Sequence, residues 1–134
     1  MASDPAPDRG DLVWLDFDPQ AEHEQAGHRP ALVLSRELYN RRAGLALVCP
    51  LTSQAKGYPM EVSLPAGLKV RGVVLADQVR NIDWRARRAT HIVRAPEGVV
   101  AEALAKVLAL LTSQPCSGST LENGLRPRMD FGPL

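Results

Sequence analysis

Residues 22–30, EHEQAGHRP, crowd two glutamates, two histidines and an arginine into nine positions. Gly27 loosens this stretch and Pro30 ends it, so it reads as a loop entering the apolar run ALVLS (31–35). Composition alone makes most of it a solvated turn. A metal site built from its histidines and glutamates is one alternative, but the glycine and proline deny the helix that would align such ligands. Arg29 stands apart from its neighbours. Set against a proline and a buried strand, it has a well-fixed backbone, and its planar guanidinium matches phosphate oxygens.

A second stretch, CPLTSQAKGYP (49–59), ends a buried strand and delivers Thr52, Ser53, Gln54 and Lys56 into another loop. Small hydroxyls at a strand end commonly bond the turn itself. Placed beside the first loop, Thr52 would donate to the same phosphate that Arg29 holds. The third stretch, ADQVRNIDWRARRATH (76–91), sets Arg80, Arg85, Arg87, Arg88 and His91 around Trp84. Such a run is usually a solvated face; interleaved with an aromatic, it can follow a nucleic-acid backbone and stack a base. Aromatic residues make up only 4% of the chain, so a stacking platform has to be drawn from Trp14, Phe17, Tyr58 and Trp84.

The elements that must position these residues are mainly strands. DLVWLDFD (11–18) alternates, with Val13, Leu15 and Phe17 on one face and Leu12 and Trp14 on the other. PALVLSR (30–36) and GLALVCPLT (44–52) are nearly continuous apolar runs, suited to strands buried on both faces, and ELYNRRAG between them reads as a turn. MEVSLP (60–65), RGVVLADQV (71–79) and RATHIV (88–93) predict three further strands. Over 96–112 the period changes: Val100, Leu104, Val107, Leu108 and Leu111 recur at helical spacing, with Glu97, Glu102 and Lys106 facing outward. The expected fold is a small β-barrel capped by one amphipathic helix.

At 134 residues the chain has room for one core, and we expect a single domain over 1–112 followed by a disordered tail, 113–134, rich in Ser, Gly and Pro. Sixteen Lys and Arg against fifteen Asp and Glu leave a net charge of +1, so any case for nucleic acid rests on where charges sit. No apolar run approaches membrane-spanning length, and the acidic, Pro-rich start lacks a signal-peptide core. With two distant cysteines, Cys49 and Cys116, the chain reads as a reduced, cytoplasmic protein without a structural disulfide. No Cys/His spacing matches a zinc site.

Four blocks, GDLVWLDFDP, EQAGHRPALVLS, PLTSQAKGYPMEV and GVVLADQVRNIDWRARRAT, together resemble the MazF/PemK (Kid) family of toxin–antitoxin ribonucleases, on its MazF branch, over residues 9–111. The resemblance implies an SH3-like β-barrel of the PemK/CcdB type with a C-terminal helix, assembled as a homodimer. It implies a metal-independent endoribonuclease, without cofactor, that cuts single-stranded mRNA at a short sequence. It also implies a cognate MazE-like antitoxin whose extended acidic segment occupies the RNA groove. The family's catalytic arginine falls on Arg29, its threonine on Thr52 and an assisting glutamate on Glu24; the aspartate of the Kid branch falls on Asp77. Ser53, Gln54 and Lys56, then Trp14, Phe17, Tyr58, Arg80, Trp84, Arg85 and Arg87, are the expected RNA contacts. His28 lies where the family varies and receives no role. The rival reading from another class is a non-catalytic, CcdB-like toxin that binds a protein target such as DNA gyrase.

Overall fold

The computed structural model describes residues 5–17 and 27–112. Glu22, His23, Glu24 and the tail 113–134 lie outside them. The order is β1 (Asp11–Phe17), β2 (Gly27–Val33), α1 (Glu37–Ala43), β3 (Leu45–Thr52), β4 (Glu61–Ser63), β5 (Val73–Leu75), a 3-10 turn (Ala76–Gln78), β6 (Arg80–Asp83), β7 (Thr90–Arg94) and α2 (Glu97–Leu111).

Every strand pairing is antiparallel, along the path β4-β5-β3-β2-β1-β7, with β6 also paired to β3. The mainly β architecture with a C-terminal helix is as expected, but the sheet does not close into a barrel: β4 and β7 stand at its two ends. β3 is the hub. Its first half takes β6 at Leu45–Val48 and its end takes β5 at Leu51–Thr52, with the 3-10 turn carrying the chain from one to the other.

The apolar runs are buried on both faces. Leu12, Leu32, Cys49 and Leu51 join one core cluster, whereas Val13, Leu15, Ala31, Val33 and Val48 join another. α2 seals the first cluster through Val99, Ala103 and Val107, a stripe at four-residue spacing. This shifts the buried face from the one expected. Leu108 sits about 100° further round the helix than Val107, and Leu108 and Leu111 are 54% and 72% exposed. Lys106, expected to face outward, instead donates from Nζ to the carbonyls of Pro59 and Glu61, at 2.5 and 3.0 Å, and pins the helix to β4.

ELYNRRAG is a helix rather than a turn. Gly44 (φ 74°) caps its C-terminus, with its N–H donating to the Asn40 carbonyl at 3.0 Å. Its N-terminus has no local side-chain cap; the Glu37 N–H donates instead to Asp8 Oδ1 at 2.8 Å, twenty-nine residues away. Asn40, fully buried, donates from Nδ2 to the carbonyls of Pro7 (2.7 Å) and Ser35 (3.0 Å), tying the helix to the N-terminal segment. No helix among the described residues is long and apolar enough to cross a membrane.

Candidate active site

β2 and β3 pair with Ala31 opposite Pro50 and Val33 opposite Val48. Two residues before Ala31, Arg29 reaches with its side chain to the end of β3 that carries Thr52. The guanidinium confirms this proximity: Nη2 of Arg29 donates to the carbonyl of Leu51 at 3.2 Å. The arginine is therefore fixed by the strand that carries the threonine, and the two form one rigid unit of the sheet. Thr52 Oγ1 accepts from the Gln54 N–H at 3.2 Å, which leaves its hydroxyl proton available to a ligand.

Thr52 is also fixed from below. Gly72 (φ 121°) presses its backbone so closely on this strand that an added Cβ would lie 2.9 Å from the Thr52 carbonyl carbon and 3.2 Å from the Ser53 Cα. Only glycine admits that approach at that angle. The loop after Thr52 is anchored by Glu61, whose Oε1 accepts from the N–H groups of Lys56 (3.2 Å) and Gly57 (2.9 Å) and whose Oε2 also accepts from Lys56 (3.0 Å).

These elements enclose an open groove of about 810 Å³. Arg29, Thr52, Ser53, Gln54 and Lys56 line it, with Trp14, Tyr58 and Asp77, so eight of the sequence-derived site residues converge on one surface. Lys69 and Arg71, on the segment leading into β5, line it as well. Four cations (Arg29, Lys56, Lys69 and Arg71) thus meet two carboxylates (Glu61 and Asp77), a balance that favours an anionic ligand. Sequence analysis named Lys56 and Tyr58 but not Lys69 and Arg71, which stand between the predicted strand at 60–65 and the valines of the next. Glu24 lies outside the described residues, and Phe17 closes β1 with a side chain that is likewise outside them.

The basic run at 80–88 does not line this groove. Trp84 is a core residue, 3% exposed, and its Nε1–H donates to the Asn40 carbonyl at 2.8 Å, so it cannot stack a base. Arg85 lies over the Trp84 ring, 4.4 Å from its centroid, and Arg80 belongs to β6, opposite Val48. Arg87 is turned to the main chain of β1, with Nη1 donating to the Asp16 carbonyl at 3.3 Å. The arginines and the aromatic are adjacent as expected, but the pairing of β6 with β3 turns the tryptophan inward.

His28, left without a role by the sequence, lines the groove beside Arg29. Its ring stacks on Trp14, with centroids 5.6 Å apart and planes 16° from parallel, and its Nδ1 lies 2.7 Å from Asp16 Oδ1. The signal that could have found it is a register: Asp16 stands opposite His28 and Trp14 opposite Pro30. Cys49, buried beneath the site on β3, has its thiol pushed up to about 12 by burial and, secondarily, by the charge of Asp77. It is an inert core group rather than a nucleophile.

A fixed arginine and a hydroxyl proton, at one end of an open, cation-rich groove, suit the phosphate of an extended chain. Comparison with known proteins identifies the family. The family model described as "PemK-like, MazF-like toxin of type II toxin-antitoxin system" matches residues 8–111, and the chain belongs to that family. It is 58% identical over 90 residues to the endoribonuclease toxin MazF of Escherichia coli K12, covering 67% of this chain and 80% of that one. It is 38% identical over 109 residues to the Escherichia coli endoribonuclease PemK, covering 78% and 82% respectively. Among solved structures it superposes on the MazE–MazF crystal structure (form II) from Deinococcus radiodurans with a TM-score of 0.76 at 58% identity, over 83% of this chain and all of that one. These relatives are ribonuclease toxins, so the CcdB-like alternative is not favoured.

Proposed function

We propose that this chain is the endoribonuclease toxin of a type II toxin–antitoxin pair, acting in the cytoplasm on single-stranded RNA, chiefly mRNA, to arrest growth. The observation that carries this reading is the bond from Arg29 to the Leu51 carbonyl, which holds a guanidinium beside Thr52 in a groove open to an extended chain.

RNA brings its own nucleophile. The 2′-OH attacks the adjacent phosphorus, the bond to the 5′-oxygen breaks, and the products are a 2′,3′-cyclic phosphate and a 5′-OH. One proton leaves the 2′-oxygen and one is delivered to the departing 5′-oxygen. In our reading Glu24 accepts the first, and water entering the open groove supplies the second, with Asp77 lining that groove as a further carboxylate. Arg29 holds the phosphate and stabilises the added charge of the transition state, since a guanidinium does not readily give up a proton. Thr52 donates to a non-bridging oxygen. Ser53, Gln54, Lys56 and Tyr58 contact the RNA on either side, and the need for a 2′-OH and an in-line geometry selects flexible RNA over DNA or duplex.

The partners follow from the same reading. A MazE-like antitoxin with an acidic, extended segment suits a groove with four cations. Apolar surface on α2, at Leu108, Leu110 and Leu111, is available to a second copy in a homodimer.

Purified protein incubated with single-stranded RNA in excess EDTA should cut at a preferred sequence and leave 2′,3′-cyclic phosphate and 5′-OH ends. Arg29→Ala should keep the fold and lose at least about a hundredfold in rate. No cleavage by folded wild-type protein, or undiminished cleavage by Arg29→Ala, refutes the assignment.

A further inference from the structure

His28 combines exposure with immobility. Its side chain is 57% exposed, yet the ring is held by the face of Trp14 and by Asp16. An ionised carboxylate only accepts, so the 2.7 Å contact is an Nδ1–H donating to Asp16 Oδ1, which fixes both the tautomer and the ring plane. Asp16 is itself held: Arg88 Nε stands 3.9 Å from its Oδ2, and Arg87 bonds its main-chain carbonyl. Exposed pairs of this kind contribute little to stability. Holding an aromatic ring rigid at the lip of a groove serves recognition better, because the ordering cost is met before any ligand arrives.

We propose that the outer face of the His28 imidazole is the stacking surface for one unpaired base of the RNA, with Trp14 as its support rather than the surface itself. This rests on the ribonuclease reading above. Trp14 is half-buried with His28 against it, so the ring an incoming base meets is the imidazole. Successive side chains of a strand leave on opposite faces, yet His28 and Arg29 both line this one groove. A base on this ring therefore belongs to a nucleotide flanking the phosphate that Arg29 holds. The shelf thereby sets the register in which the chain is presented for cleavage.

The test uses the intact protein and an oligonucleotide carrying a site mapped by wild-type cleavage, made uncleavable by a 2′-deoxy nucleotide at the scissile position. Aromatic–base stacking loses roughly five- to a hundredfold in affinity on truncation to alanine. His28→Ala should weaken binding within that range and raise KM with little change in kcat, whereas His28→Phe should bind within about threefold of wild type. Asp16→Ala, which frees the ring, should fall between. An abasic nucleotide beside the scissile phosphate should weaken wild-type binding but leave His28→Ala unaffected. Binding by folded His28→Ala within twofold of wild type overturns the proposal, as does an abasic penalty equal in both proteins or failure of His28→Phe to restore affinity. Wild-type protein that neither binds nor cuts RNA refutes the ribonuclease reading instead.

Discussion

Gly72→Ala isolates the contact that fixes Thr52. The added Cβ would overlap the Thr52 carbonyl oxygen, its nearest neighbour, and lie 2.9 Å from the Thr52 carbonyl carbon and 3.2 Å from the Ser53 Cα, against ordinary carbon contacts of about 3.5–4.0 Å. The strand end must therefore retreat by about 1 Å, and overpacking of that kind costs about 1–3 kcal/mol. The positive φ of 121° adds backbone strain of about 1–3 kcal/mol. Gly67→Ala is the matched control: φ is 98°, but nothing lies within 4 Å of its Cβ, so it carries strain without the clash. Urea unfolding should place Gly72→Ala about 1–3 kcal/mol below Gly67→Ala. Because Arg29 bonds the neighbouring Leu51 carbonyl, the displacement reaches both site residues, and a shift near 1 Å is worth about a hundredfold in rate. Single-turnover cleavage should fall about ten- to a hundredfold in Gly72→Ala and stay near wild type in Gly67→Ala. Equal stability of the two variants, or wild-type cleavage by Gly72→Ala, would show that this backbone approach does not hold the site.

Trp84→Ala should cost about 3–5 kcal/mol in chemical denaturation, because it empties a core position, while the fraction that remains folded binds RNA with unchanged affinity. Cys49 ties stability to alkaline pH. Burial pushes its thiol up to about 12 from an ordinary value of 9.0, so between these limits the unfolded thiol releases a proton that the folded one retains. The contribution is complete below about pH 9 and is lost as pH rises towards 12; Cys49→Ala should flatten that decline in pH-dependent denaturation, and native Cys49 should resist alkylation until the protein unfolds. Leu108→Glu with Leu111→Glu should shift the protein from dimer to monomer in light scattering; a dimer of unchanged strength would move the interface elsewhere.

The parts of this architecture written in local pattern were legible. Branched apolar runs announced β2 and β3, and the motifs at their ends carried Arg29 and Thr52, which the pairing of the two strands then brought together at the Leu51 carbonyl. What required tertiary partners was not. α1 takes its N-terminal cap from Asp8, so ELYNRRAG holds no start signal of its own, and the Gly44 that ends the helix reads equally as a turn residue. β6 buries only Ile82 of its four residues, and its pattern was submerged in charge. Trp84 looked exposed among arginines because the carbonyl that receives its N–H, that of Asn40, is forty-four positions away. His28 went unassigned for the same reason, since its meaning comes from Asp16 across the strand pair.

The Glu61 anchor has a consequence for how such a molecule can diversify. It grips the loop after Thr52 through the main-chain N–H groups of Lys56 and Gly57; any residue except proline supplies the first, while a φ of 82° favours glycine at the second. The side chains before Gly57 are therefore interchangeable without disturbing the strands behind them. Arg29 and Thr52, by contrast, are locked into β2 and β3. Descendants of this gene can thus exchange what they read while conserving how they cut, and a few substitutions in one short loop suffice to begin a new vocabulary.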